Sequence, residues 1–189
     1  MDARYEPLFT PWKIGNVEIK NRIVLCPMGG TSLFGWMEHN HFDEDAANFF
    51  LERAKNNVGL IIPGIAPLRG IMYGGWLYKN KKMFRQLKEY MVKIHATGAK
   101  LFVQLTAGFG RSFAITNPLV PFLKYPALGV FIKPFVDVSY ICASPSRLPS
   151  RWAEDVKVRA LRKKEIEQMV YAFAETARLC KEAGVDGVE

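Results

Sequence analysis

Apolar residues in this chain fall either in short continuous runs or in longer stretches at helical spacing. Trp12-Lys13-Ile14 and Val17-Glu18-Ile19 alternate around Gly15-Asn16, which predicts a β-hairpin over 12–20. Ile23-Val24-Leu25 is a short apolar run, the pattern of a strand buried on both faces. From Asp43 to Lys55 the period turns helical, with Asp43 as N-cap and Ala46, Phe49, Phe50 and Arg53 at helical spacing. Gly59-Leu60-Ile61-Ile62 predicts a second buried strand, ended by Pro63-Gly64. A second helix follows over Met83 to Thr97, with Phe84, Leu87, Met91 and Ile94 on one face and Gly98 closing it. Lys100 to Leu105 predicts a third strand, ended by Thr106-Ala107-Gly108. A third helix is expected from Lys163 to Ala183, burying Ile166, Met169, Val170, Phe173, Ala174, Ala177 and Cys180, with Gly184 at its end. Val185 to Glu189 opens a fourth strand.

Between Gly110 and Arg159 neither period holds. Prolines 118, 121, 126, 134, 145 and 149 are interleaved there with Phe113, Phe122, Tyr125, Phe131, Phe135, Tyr140 and Trp152. A loop of this length inside a domain is usually functional or disordered, and disordered segments are poor in aromatics. An ordered excursion or lid is therefore expected over about 110–159.

Strands alternating with helices predict a parallel sheet with right-handed crossovers. Three successive strands end in small residues or proline, at Pro27-Met28-Gly29, Pro63-Gly64 and Thr106-Ala107-Gly108. In parallel α/β folds ligands sit at the C-terminal strand ends, so these endings would line one mouth. The turn after Leu25 suits a flat ligand. Pro27 removes a backbone donor and Gly29-Gly30 turn the chain with no Cβ, so backbone is presented in place of side chain.

Composition narrows the class. The 189 residues are 49% hydrophobic and 23% charged, as in a globular protein with a sizeable core. The formal charge of +8 is scattered, with groups at Lys79-Asn80-Lys81-Lys82 and Arg162-Lys163-Lys164 where helices should begin; solvated helix faces explain it better than nucleic acid. No basic start followed by an apolar stretch opens the sequence, and the window Ala127 to Ala143 is broken by Lys133, Pro134 and Asp137, so neither a signal peptide nor a membrane span is expected. Cys26, Cys142 and Cys180 are odd in number and far apart, which suggests reduced thiols and a cytoplasmic address.

Other candidates are weaker. His39 and His41 with Asp43 and Glu44 lack the ligand spacing of a metal site, and no metal is expected. His95 falls near a helix C-terminus, where a cation favours the dipole. Cys26, at the end of an apolar strand, reads as a small buried side chain, with a reactive thiol as the alternative. Arg111 after Gly108-Phe109-Gly110 could face an anionic substrate group or lie on the surface.

A series of motifs resembles the old yellow enzyme family of flavin-dependent ene-reductases, in particular the branch of 2,4-dienoyl-CoA reductases, 2-enoate reductases and bile-acid or steroid reductases. They are Leu8-Phe9-Thr10-Pro11 with Ile14-Gly15, Lys20-Asn21-Arg22-Ile23-Val24 leading to Pro27-Met28, and Glu52-Arg53-Ala54-Lys55 with Gly59-Leu60-Ile61-Ile62. Val103-Gln104-Leu105 with Gly108-Phe109-Gly110-Arg111, Ala143-Ser144-Pro145-Ser146 and Ala183-Gly184-Val185-Asp186-Gly187-Val188-Glu189 complete the series. Singly each is weak; in this order and spacing they are specific.

The resemblance implies an α/β fold, the N-terminal portion of a (β/α)8 TIM barrel with an N-terminal β-hairpin and a long loop after the third strand. It implies FMN, with NADH or NADPH as reductant, and in longer members a 4Fe-4S cluster and FAD. Carried over by residue, Cys26, Pro27, Met28 and Gly29 would run beside the flavin ring, Gly64 would follow the second strand, and Gln104 would hydrogen-bond the pyrimidine edge. An amide both donates and accepts, which suits that edge. Arg111 is the substrate-side candidate. Two departures are visible: Gly29 stands where many members carry Cys, Thr or His, and the turn Pro63-Gly64-Ile65-Ala66 is one residue shorter than the Gly-Gly form. The catalytic His or Asn pair and the Tyr proton donor would lie beyond Glu189, so none is expected within this chain and residues 1–189 alone are expected to be inactive. The substrate would be a small-molecule enone or enoyl compound, with a homo-oligomer left open. The alternatives are a non-redox barrel enzyme, such as a lyase on a phosphorylated substrate, or an inactive fragment.

Overall fold

The computed structural model describes residues 2–35, 40–113 and 117–189. After a 3-10 segment at Ala3–Phe9, β1 (Trp12–Ile14) and β2 (Val17–Ile19) pair antiparallel as the expected hairpin, with Gly15 at φ +56° in the turn. Then come β3 (Val24–Leu25), α1 (Glu44–Lys55), β4 (Leu60–Ile61), β5 (Ala66–Pro67), α2 (Lys81–Ala96), β6 (Lys100–Val103) and β7 (Leu105–Thr106). Three short helices, α3 (Val120–Lys124), α4 (Pro126–Ile132) and α5 (Val138–Ile141), precede α6 (Lys163–Glu182) and β8 (Gly187–Val188).

The sheet order is β3-β4-β6-β8, every pair parallel. α1 and α2 each begin at a capping side chain. The Asp43 carboxylate accepts from Ala46 N and the Asn80 side chain from Met83 N, satisfying amides that no helical carbonyl can reach. Gly98 (φ +74°) and Gly184 (φ +87°) take the left-handed conformation that turns the chain back into the next strand.

One face of the sheet is covered by helices. Leu101, Val103 and Leu105 alternate into the core shared with Ile61, Phe84, Leu87, Met91, Ile94, Ala172 and Cys180. Phe102 and Gln104 occupy the alternate positions and so belong to the opposite face. Burial pushes the Cys142 and Cys180 thiols up to about 12, so both stay protonated. The α2 face is the expected one. On α1 the buried residues are Ala47, Phe50 and Ala54, so the buried stripe is rotated from the expected Ala46, Phe49 and Arg53; the Arg53 guanidinium stacks on the Phe49 ring at 3.4 Å.

Two expectations about the strands change. Val24 and Leu25 of β3 are half-buried, with β4 the one strand paired to them among the described residues. The second strand does not end at Pro63-Gly64 but resumes as β5, which pairs with β7. The chain takes five residues from Ile61 to Ala66 where its partner takes four from Leu101 to Leu105, so the second strand carries a bulge at residues 62–65.

The described residues of the excursion include three short helices. Pro121 and Pro126 each sit in the first turn of a short helix, where proline's fixed φ helps and its missing N–H costs nothing. Helices of four to seven residues are too short to show a period, which is why none was visible. They enclose a second small core, Val138, Cys142 and Val158, packed against Leu119, Leu123 and Ile132. The excursion docks on the loop after β5 through Tyr73 N to Phe135 O (2.6 Å) and Arg69 to Asp137 (4.0 Å). It therefore rests on the side of the sheet where the parallel strands end.

Candidate active site

Parallel pairing brings all four C-terminal strand ends to one side. Ile62 N donates to Leu25 O (2.9 Å), Glu189 N to Val103 O (2.9 Å) and Leu105 N to Glu189 O (2.8 Å), so these ends are mutually bonded. After β3 the chain leaves the sheet as an exposed turn. Cys26, Met28 (41% exposed), Gly29 and Gly30 (φ +80°) face out, with Pro27 half-buried between them. Cys26 is thus corrected from a buried side chain to an exposed one, because it falls in the turn after β3 and not in the strand.

Gly64 lies buried beneath that turn. Its N–H donates to Thr31 O (2.5 Å), and a Cβ there would come within 2.2 Å of Met28 O and 2.6 Å of Thr31 O. Glycine is required because the bulge presses its backbone against the 28–31 turn. Gly64 therefore shapes the turn that carries residues 26–30.

Gln104 falls at the break between β6 and β7. Its carbonyl accepts from Ala66 N (2.7 Å), which fixes its backbone across the bulge. Its side chain belongs to the face away from the helices, is half-buried, and among the described residues its carboxamide has no hydrogen-bond partner. An unengaged amide at a strand end has both donor and acceptor to offer a ligand edge. These residues fit a flat heterocycle: small at 29, 30, 64, 107 and 108, polar at 104, and free of a bulky wall.

Arg111 stands further out, in a 3-10 turn over Gly110–Ser112. It borders an open cavity of about 690 Å³ with Phe109, Tyr140, Ile166, Val170 and Phe173. Its carbonyl accepts from Arg151 N (3.0 Å), tying the turn to the far end of the excursion. Tyr140 was not singled out as a site residue by sequence. It joins this cavity to the strand ends, with the Arg69 guanidinium 4.0 Å over its ring, and burial raises its phenol pKa although Arg69 opposes the shift. The only sequence signal for it was its place among the aromatics of the excursion.

The remaining candidates lie elsewhere. His95 Nε2 is 2.9 Å from Asp186 Oδ2, and Asp186 also accepts from Leu101 N (3.0 Å) and meets Lys100 (3.2 Å), a tie between α2 and the start of β8. His39 lies outside the described residues. Among the described residues no group of three His, Cys, Asp or Glu gathers, and no helix is long and apolar enough to cross a membrane.

A parallel β/α sheet with a hairpin before its first strand, a bulged second strand and a ligand mouth under a docked excursion defines part of a (β/α)8 barrel. Residues 7–189 match the NADH:flavin oxidoreductase / NADH oxidase family, and the chain belongs to it. It is 33% identical over 196 residues to cinnamate reductase of Clostridium sporogenes, covering 100% of this chain and 26% of that protein. It is 29% identical over 187 residues to 12-oxophytodienoate reductase 1 of Oryza sativa subsp. japonica, covering 97% and 44%. The old yellow enzyme from Pichia sp. AKU4542 superposes with a TM-score of 0.64 at 26% identity, over 96% of this chain and 45% of that one. The chain thus spans about a quarter to less than half of the length of the relatives it matches.

Proposed function

We propose that this chain is part of an FMN-dependent ene-reductase, which takes hydride from NADH or NADPH and delivers it to the activated C=C of an α,β-unsaturated carbonyl compound. The observation that carries this is the unengaged Gln104 carboxamide at the end of the third strand, on the same C-terminal side of the sheet as the exposed turn 26–30, with β4 between them. Bound FMN would supply the hydride chemistry. This chain's residues would hold and orient it: Cys26, Pro27, Met28 and Gly29 along the ring, Gln104 at the pyrimidine edge, and Gly64 beneath, keeping the 28–31 turn in place. Arg111 and Tyr140, at the border of the outer cavity, would meet the substrate's polar end. The relatives named cinnamate reductase and 12-oxophytodienoate reductase support an unsaturated carbonyl substrate.

The test is anaerobic turnover. The flavin-loaded complete enzyme should bleach its visible flavin band with NADH or NADPH and recover it on addition of cinnamate or an enone, with one saturated product per reductant consumed. A colourless protein, or a reduced flavin reoxidised by oxygen alone, would contradict the proposal.

A further inference from the structure

We propose that the excursion carries a second binding site, for an organic phosphate or pyrophosphate with an apolar body. The site is a hollow of about 650 Å³ between α3–α4 and the ribbon formed by residues 147–158. It goes beyond the flavin reading and shares none of the residues assigned to that cofactor.

The first argument is charge. Lys124, Lys133, Arg147, Lys157 and Arg159 border the hollow against two acids, Asp137 and Asp155. Lys124 pairs with Asp155, and Asp137 is divided between Lys133 (3.9 Å) and Arg69 (4.0 Å). Glu165 takes the Arg159 guanidinium through two bonds of 2.8 Å. Arg147 and Lys157 have no acidic partner among the described residues. The surplus is therefore two free cations beside three tethered ones.

The second argument is geometry. Pro149 pairs antiparallel with Lys157, and Val158 N donates to Leu148 O (3.1 Å). Continuing that register sets Arg147 across from Arg159, with Lys157 on the same ribbon face. Glu165 already offsets the Arg159 charge, so Arg147 and Lys157 are the cations on that face left without an anion among the described residues, and like charges on neighbouring strand positions repel. Arginine and lysine together suit a phosphate, the one as a fork and the other as a point charge.

The third argument is the floor. Phe122, Leu123 and Val130 line the same hollow above the buried Val138, Val156 and Val158, so a ligand lying there meets apolar side chains as well as cations. A hollow that combines apolar lining with convergent cations suits a ligand with an anionic head and an apolar body. Inorganic phosphate would leave that floor unused.

The experiment is calorimetric titration of the flavin-loaded protein with inorganic pyrophosphate and with dimethylallyl pyrophosphate. Wild type is compared with Arg147→Glu, Lys157→Glu and the control Arg85→Glu, an exposed site on α2. We expect saturable binding, roughly tenfold tighter for the dimethylallyl compound because it buries apolar carbon. Each reversal at 147 or 157 should weaken it on the order of tenfold, with the control unchanged. Should either reversal unfold the excursion, as judged by thermal melting, Arg147→Gln and Lys157→Gln replace it, with the same loss expected at a smaller size. No saturable binding, an equal loss in the control, or equal affinity for the two compounds would overturn the proposal. The flavin spectrum should not respond in any of these variants, so failure here leaves the flavin reading standing.

Discussion

Asn21 is 2% exposed and joins three segments that are distant in sequence. Its Nδ2 donates to Asn57 O (2.7 Å), its Oδ1 accepts from Ile23 N (3.1 Å), and its carbonyl accepts from Trp12 Nε1 (2.7 Å). Gly59 is the counterpart: a Cβ there would come within 2.3 Å of Asn21 Oδ1. Asn21→Ala should strand the Asn57 carbonyl and the Ile23 amide and cost about 1–3 kcal/mol. Urea unfolding checks this, and a loss below about 0.5 kcal/mol, the size of an ordinary surface substitution, would contradict it. The sequence marked Asn21 as the opening of a strand, because its partner lies 36 positions away and leaves no local trace. Gly64 was legible as a glycine at a strand end; that its task is to pass under the 28–31 turn depends on a pairing no local pattern encodes.

Among the elements, α6 departs furthest from expectation. Ala172, Thr176 and Cys180 are buried, while Ile166, Val170 and Phe173 are 44%, 64% and 37% exposed. The helix is apolar on two sides, and small side chains face the sheet because they let the helix lie close to it. The larger stripe borders the open cavity beside Arg111. Periodicity finds the stripe of large residues and cannot tell which side meets the sheet.

The same helix carries a pH dependence. The Arg159 guanidinium holds the Glu165 carboxyl down to about 2 against partial burial, with help from the Arg162 side chain and the Arg162 backbone N–H. A carboxyl depressed in the folded state adds stability above its ordinary value of 4.5, and loses that contribution as pH falls towards about 2. Melting temperatures should therefore separate wild type from Glu165→Gln at pH 7, with the gap closing between pH 4.5 and 2. A gap unchanged at low pH would refute the assignment.

The excursion is the element where function and packing compete. Tyr125, Phe131, Phe135 and Trp152 are 61%, 78%, 56% and 66% exposed, although Val138, Cys142 and Val158 give the segment its own core. Exposed apolar surface beside a pocket is a binding surface by default, and the docking on residues 69–73 puts it near the mouth. A substrate roof would favour large, flat, apolar substrates. Replacing residues 117–140 with a short Gly-Ser linker should then lower catalytic efficiency for a steroid enone several-fold more than for cyclohexenone, with flavin retained. Equal losses would make the segment a scaffold.

At the scale of the whole chain, the alternation of strand and helix was readable because each element carries its own period, and the parallel order β3-β4-β6-β8 follows from it. The bulge and the helical content of the excursion were not readable, since each depends on pairing or on elements too short to repeat. The hollow in the excursion escaped for the same reason: Arg147 and Lys157 are ten residues apart in a proline-broken stretch, and only the ribbon brings them to one face.

The account rests on Gln104 facing the flavin edge, and a cofactor titration of the Gln104→Leu protein tests it most directly. The leucine would remove a hydrogen-bond pair and leave the pyrimidine edge unsatisfied, a loss of about 1–3 kcal/mol in cofactor binding. FMN affinity should fall by roughly five- to a hundredfold, with lower occupancy after purification and a shifted reduction potential. Unchanged affinity and potential would show that Gln104 does not touch the cofactor.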